Sequence, residues 1–210
     1  TMTSWRFGAV ALATACATLA TAHAECGDAT GDRPVYLAFD AAGMAAAAQV
    51  GEVLTRQHVE ATFFVDAGAS LTDDSATWWS ARAAEGHAFG ALVKTTSPAR
   101  VCAESTATAE RFRSTSGRSM PKLFRLAGGK PPAAALAAAA AACDWTPVSA
   151  AMSLRNVHAG DVLVVPLGDT PRRDARTIAR LEPLISGLKA RGLCFATLRE
   201  HPSYRSQFAW

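Results

Sequence analysis

Beyond its first two dozen residues the sequence has no apolar run long enough to cross a bilayer, which takes about 20 residues, so no membrane span is expected in the rest of the chain. It also lacks a basic stripe: 21 Lys and Arg stand against 18 Asp and Glu, and only 19% of residues are charged. With a formal net charge of +3 spread along the chain, nucleic acid is excluded as a main partner. Histidine is scarce, at five residues, and no two stand at the spacing by which a helix or hairpin brings imidazoles onto one metal ion. The cysteines are too widely spaced for a compact zinc knuckle, whose ligand pairs sit roughly two to four residues apart. No segment repeats.

What the first two dozen residues hold is a secretory signal. Arg6 supplies the positive start, FGAVALATACATLAT the apolar stretch, and Ala22-His23-Ala24 the small-x-small cleavage site. Cleavage after Ala24 would leave residues 25–210 and, with Arg6 gone, lower the formal charge from +3 to +2. A chain of that length suits one domain with a single core. Lipidation at Cys16 is not expected, because Leu12 lies one place too far from it. The predicted address is secreted or periplasmic, where the four remaining cysteines, Cys26, Cys102, Cys143 and Cys194, would form disulfides. Four cysteines allow three pairings, and the sequence leaves all three open.

The most informative stretch runs from Arg33 to Phe64. Two apolar runs, VYLAF and ATFFV, flank about a dozen helix-forming residues. Strands so separated pair in parallel through a crossover helix rather than as a hairpin. Asp40 stands just past the first run and Asp66 just past the second, at the strand ends where α/β folds meet their ligands. The pattern then continues. A helix is expected with Trp78, Trp79, Ala83 and Ala84 on one side, followed by the strand AFGALV. A helix over Pro98 to Arg113 and the strand KLFRL come next. Pro131 and Pro132 open an alanine-rich helix that must pack closely for want of large side chains. The strands WTPVSA and DVLVVPL follow, then a helix over Arg172 to Arg191 and the strand LCFATL. The tail HPSYRSQFAW is expected to be loosely packed.

Several of these words, in order, resemble those of the NodB-homology polysaccharide deacetylases, the family-4 carbohydrate esterases. AFDAAG stands for T-F-D-D-G-P, EATFFV for K-A-T-F-F-V, EGHAFG for E-G-H-E-I-G, and RLAGG for R-P-P-Y-G. The closing GLKARGLCFATL is similar to the family's last helix and strand. The resemblance covers roughly residues 33–200 and implies a distorted, incomplete (β/α) barrel of about seven strands. MSLRNVHAG is short where the family often inserts a helix, which implies a barrel trimmed on that side.

The family's chemistry needs a divalent metal held by an aspartate and two histidines, a base aspartate, and a late histidine acid. Here the metal aspartate is replaced by Ala41, the two histidines by Leu92 and Thr96, and the late histidine falls at or beside Pro166. No metal is therefore expected; zinc would belong only to a form with relocated ligands. Asp40 and Arg125 keep their family identities, and Asp66, Lys94 and Asp169 complete the pocket candidates. Asp66 and Asp169 also have ordinary duties as loop caps and ion-pair partners. His87 reads as a packed residue, His58 ends a helix, and His158 and His201 lie outside any metal pattern. Of Trp78 and Trp79, either could stack on a sugar, but adjacent helical tryptophans commonly send one ring inward.

The function expected is that of a secreted polysaccharide deacetylase-like protein with degraded catalytic machinery, a pseudoenzyme that binds glycan or envelope polysaccharide or a protein partner, or acts as a scaffold. The alternative is an active hydrolase or deacetylase that removes N- or O-acetyl groups with Asp40 as base.

Overall fold

Strand and helix alternate along the chain because apolar runs of strand length alternate with helix-forming segments. Successive crossovers add the second to fifth strands at one edge of the sheet before the chain returns to the first strand with the sixth. The computed structural model describes residue 26 and residues 31–128, 132–150, 156–168 and 170–209. The segment read as a secretory signal and Asp169 lie outside the described residues. In chain order the elements are β1 (Pro34–Ala41), α1 (Met44–Gln57), β2 (Thr62–Val65), α2 (Ala76–Ala84), β3 (Ala88–Val93), α3 (Pro98–Ser116), β4 (Leu123–Leu126), α4 (Ala133–Ala142), β5 (Thr146–Pro147), β6 (Val162–Leu167), α5 (Pro171–Ala190) and β7 (Cys194–Ala196). All pairings are parallel, in the order β5-β4-β3-β2-β1-β6, and β7 joins the first residues of β1 through Pro34, Val35 and Tyr36. The sheet ends at β5 and β6, so this is the incomplete, seven-stranded α/β barrel that the sequence predicts.

Both faces of the central strands are covered, which is why β1 and β2 read as nearly unbroken apolar runs. One face packs Val35, Leu37, Phe39, Ala41, Phe63 and Val65 against the helices. The other fills the barrel interior with Tyr36, Ala38, Phe64, Leu92, Leu123 and Val148. Each fully buried Phe or Leu contributes about 1.5–3 kcal/mol relative to exposure. Gly90 is small for a reason of packing: a methyl group there would come within 2.5 Å of the Phe64 ring.

Four expectations need correction. Trp79 and Ala83 are buried as expected on α2, but Ala84 is exposed, because a 3-10 turn at Asp73–Ser75 with Thr72 as its cap sets the start of the helix. The strand WTPVSA shrinks to Thr146–Pro147, since proline has no N–H to extend the ladder. The alanine helix α4 does not pack closely: Ala139 is its one buried residue. Its C-terminal end is tied instead by a disulfide from Cys143 to Cys102 on α3. The tail is docked and ordered into a short 3-10 turn at Arg205–Phe208. Tyr204 and Phe208 pack against the interior cluster, His201 meets the Tyr36 ring edge-on at 4.5 Å, and the Tyr204 hydroxyl accepts the Ser149 N–H at 3.3 Å. These rings cover apolar surface that an unclosed barrel would otherwise expose. The second disulfide joins Cys26 to Cys194 in β7, so of the three pairings the fold selects 26–194 with 102–143.

His87 opens β3 and is buried, with 4% of its surface exposed. Its Nδ1 accepts the Ala61 N–H at 3.1 Å, which an imidazolium could not do, and its ring packs edge-on against Phe63. Burial, and then the positive charge of Arg82, push the imidazole from 6.5 down to about 4. Between those values the unfolded chain binds a proton that the folded chain refuses, so stability falls as pH drops from 6.5 towards 4. The full loss is about 3 kcal/mol. In urea titrations at pH 7.5 and pH 4 the wild type should therefore lose about 3 kcal/mol more than His87→Gln; equal losses would refute this role for His87.

Candidate functional site

The C-terminal ends of the strands carry the candidate residues because side chains there leave the ladder and need not pack between strands. Asp40 lies on the interior-facing side of β1, in register with Phe64 of β2 and Pro166 of β6. Arg125 lies on β4, in register with Leu92 of β3. Across the barrel mouth the two meet in a forked ion pair: Arg125 Nε donates to Asp40 Oδ1 at 2.7 Å and Nη2 donates to Oδ2 at 3.2 Å. Arg125 Nη1 donates to the Val148 carbonyl at 2.9 Å, and the guanidinium sits 5.8 Å from the centre of the Phe64 ring. Each residue of the pair is only 8% exposed. Burial pushes the Asp40 carboxyl above its ordinary value, against the opposing pull of the Arg125 guanidinium.

Asp66 and Lys94 form a second pair at the rim. Asp66 Oδ1 accepts the N–H groups of Gly68 and Ala69 at 2.8 and 2.5 Å, so the carboxylate caps its own loop. Lys94 Nζ lies 3.1 Å from Oδ2, though not aligned as a hydrogen-bond donor, which leaves buried Oδ2 with no hydrogen bond. Lys94 itself is exposed. No hydrogen bond or ion pair joins this pair to Asp40 and Arg125. Sequence reasoning missed the contribution of Ser70. It is fully buried, its Oγ donates to the Ala41 carbonyl, and it accepts the Asp66 N–H at 3.5 Å, clamping the ends of β1 and β2 together. It also missed the Val148 carbonyl, which no side-chain pattern could have signalled.

The positions that the resemblance assigns to a divalent metal do not fit one. Ala41 points to the helix-facing core and is 0% exposed, Leu92 is packed in the barrel interior, and Thr96 is exposed. Asp40 is engaged by Arg125 on both oxygens. Among the described residues no three of His, Cys, Asp and Glu come together as a metal site. Pro166 stands exposed beside Asp40 and offers no proton. Trp79 is buried and donates its indole N–H to the Ser70 carbonyl, while Trp78 is partly exposed beside Arg82, so neither reaches the Asp40 mouth. No helix among the described residues is long and apolar enough to cross a membrane.

With this geometry in place, comparison with known proteins is informative. A family model for polysaccharide deacetylase matches residues 27–144. The fold is similar to the Xyl-CE4 domain of a multidomain xylanase from the hindgut metagenome of Trinervitermes trinervoides, at 16% identity and a TM-score of 0.68, covering 83% of this chain and 92% of that one. It is similar to a CE4 family pseudoenzyme from Bacillus anthracis, at 15% identity and a TM-score of 0.64, over 81% of this chain and 66% of that one. It is similar as well to a family 4 acetyl xylan esterase from Clostridium thermocellum solved with a cobalt ion, at 20% identity and a TM-score of 0.60, over 82% and 91% of the two chains. No protein of curated function matches the sequence significantly.

Proposed function

Since the chain belongs to the polysaccharide deacetylase family and carries Ala41, Leu92 and Thr96 in place of metal ligands, we propose that it is an exported pseudoenzyme that binds a glycan without hydrolysing it. The observation that carries this reading is the packing at the metal-ligand positions. Ala41 and Leu92 are buried apolar side chains and Thr96 offers no imidazole, so these positions cannot hold the divalent ion that would polarise an acetamide. Both Asp40 oxygens, meanwhile, accept from Arg125 in a nearly buried fork. What remains at the mouth is a polar, rigid pair that can hydrogen-bond to sugar hydroxyls or amides from its exposed rim. Export is supported by the leading apolar segment and by two disulfides, which persist in oxidising compartments.

The similar fold of a CE4 pseudoenzyme, one mutant of which has restored enzymatic activity, supports the reading that this scaffold persists without turnover. Restoration here would be harder than adding ligands at an open site, because Ala41 and Leu92 occupy packed positions. The alternative, catalysis with Asp40 as base, requires the attacking water to reach the small part of Asp40 that stays exposed beside Arg125.

The test is acetate release from a chitooligosaccharide and from acetylated xylan by the purified protein, with zinc, cobalt or nickel supplied in turn. No release above the blank is expected, with chitooligosaccharide binding unchanged by a chelator. About one equivalent of bound metal together with turnover that Asp40→Asn abolishes would overturn the proposal.

A further inference from the structure

The outer edge of β6 opens onto a groove of about 420 Å³, well within the range of ligand sites, that takes no part in the Asp40–Arg125 pair. Val164 and Pro166 of β6 and Leu184 of α5 form its apolar part, and Arg173, Arg176 and Arg180 of α5 line it with positive charge. Spaced by three and then four residues, the arginines share one helix face and span about 10 Å along the axis. Among the described residues, neither an acidic nor an aromatic side chain lines the groove. Arg176 and Arg180 are exposed, and no described residue hydrogen-bonds or pairs with their guanidinium groups.

The chemistry of the lining narrows the occupant. On β6 the Asp161 and Leu167 carbonyls accept N–H groups from Tyr36 and Ala42 of β1, so residues alternating with these, Val162, Val164 and Pro166, turn their backbone groups outward. Proline has no N–H to offer at that outward position, which works against an extended peptide adding as a further strand. A neutral sugar would want an aromatic platform, and none of the described residues that line the groove supplies one. Guanidinium forks match carboxylates in two-point geometry, while the ring faces of a sugar can rest on Val164, Pro166 and Leu184. In a chain whose formal charge is only +3, Arg176 and Arg180, with which no described residue pairs, stand beside an apolar floor and are complementary to an anion that also has apolar faces. We propose that this groove binds an acidic polysaccharide, one with carboxylates on its sugar units.

Calorimetric titration of the purified protein with a galacturonic acid oligomer at low salt tests this. Binding is expected, and Arg176→Gln with Arg180→Gln should weaken it by about tenfold or more. Arg176→Lys with Arg180→Lys should restore it only in part, because lysine keeps the charge and loses the fork. Arg113→Gln with Arg118→Gln, which removes the same charge from exposed positions elsewhere, should leave it unchanged. Absence of binding, an equal loss in the Arg113 and Arg118 variant, or equally tight and equally Arg176- and Arg180-dependent binding of poly-glutamate or duplex DNA would overturn it. The inference does not rest on the pseudoenzyme reading. A neutral chitooligosaccharide titrated in parallel reports on the Asp40–Arg125 mouth, so either proposal can fail alone.

Discussion

Replacing Arg125 with methionine lowers stability at pH 7 by about 3–5 kcal/mol, and adding Asp40→Asn recovers most of the loss. Methionine keeps much of the apolar contact over Phe64 but leaves a carboxylate that is only 8% exposed without its partner. The cost comes from that stranded charge rather than from the intrinsic strength of the pair, because the attraction between buried ions is largely offset by their desolvation. Burial already pushes the Asp40 carboxyl upwards with Arg125 in place; without the guanidinium the folded-state value rises further above the unfolded one. The folded Arg125→Met chain then binds a proton more readily than the unfolded chain, so its deficit shrinks as pH falls from 7 through the folded Asp40 value. The double variant keeps a residual deficit of about 1 kcal/mol, since the Val148 carbonyl loses the Nη1 donor. Urea titrations of the single and double variants at pH 7 and pH 5 measure all three quantities. If the single variant lost less than about 1 kcal/mol, or the double lost as much as the single, the pair would have to be treated as a solvated surface contact.

The same pair shows how far the sequence could be read. AFDAAG and KLFRL marked Asp40 and Arg125 as strand-end residues, because alternating strand and helix signals are local and survive at 16–20% identity to the solved folds. That the two would meet in a fork depends on how β1 and β4 sit across the barrel with β2 and β3 between them, which is a property of the assembled, curved sheet. From its place in the word, Ala41 could be read as standing where the resembled family has a metal aspartate. That its side chain turns to the helix-facing core could not, since it follows from β1 continuing regularly to its end. Alanine content gave α4 its helical form correctly and its packing wrongly: helix propensity is local, whereas burial depends on what lies opposite. The tail was misjudged for the same reason, as Tyr204 and Phe208 find their apolar surface only after the strands have assembled.

Cysteine pairing was also beyond the sequence, and it carries the second large effect. Cys26→Ala with Cys194→Ala should destabilise the protein by more than Cys102→Ala with Cys143→Ala. The bridges close sequence separations of 168 and 41 residues, for which the chain-entropy model gives about 5 and about 4 kcal/mol, within an observed range of roughly 2–5. The folded-state consequences point the same way. Cys194 begins β7, which pairs with β1 only through Pro34 to Tyr36 and is joined to Arg33 by one more backbone bond at 3.2 Å. Losing its bridge loosens the strand on which the docked tail depends. Cys143 instead ends α4, whose one buried residue is Ala139, so losing that bridge frees a peripheral helix while the central sheet stays paired. Urea titration of the two double variants gives the ranking, and amide exchange separates the mechanisms. Removal of the 102–143 bridge should speed exchange in α4 far more than in β1, and removal of the 26–194 bridge should speed it across β7 and the start of β1. A greater global loss from the 102–143 variant would mean that α4 supports the core despite its exposed alanines, and would overturn the account of that helix as held chiefly by its disulfide.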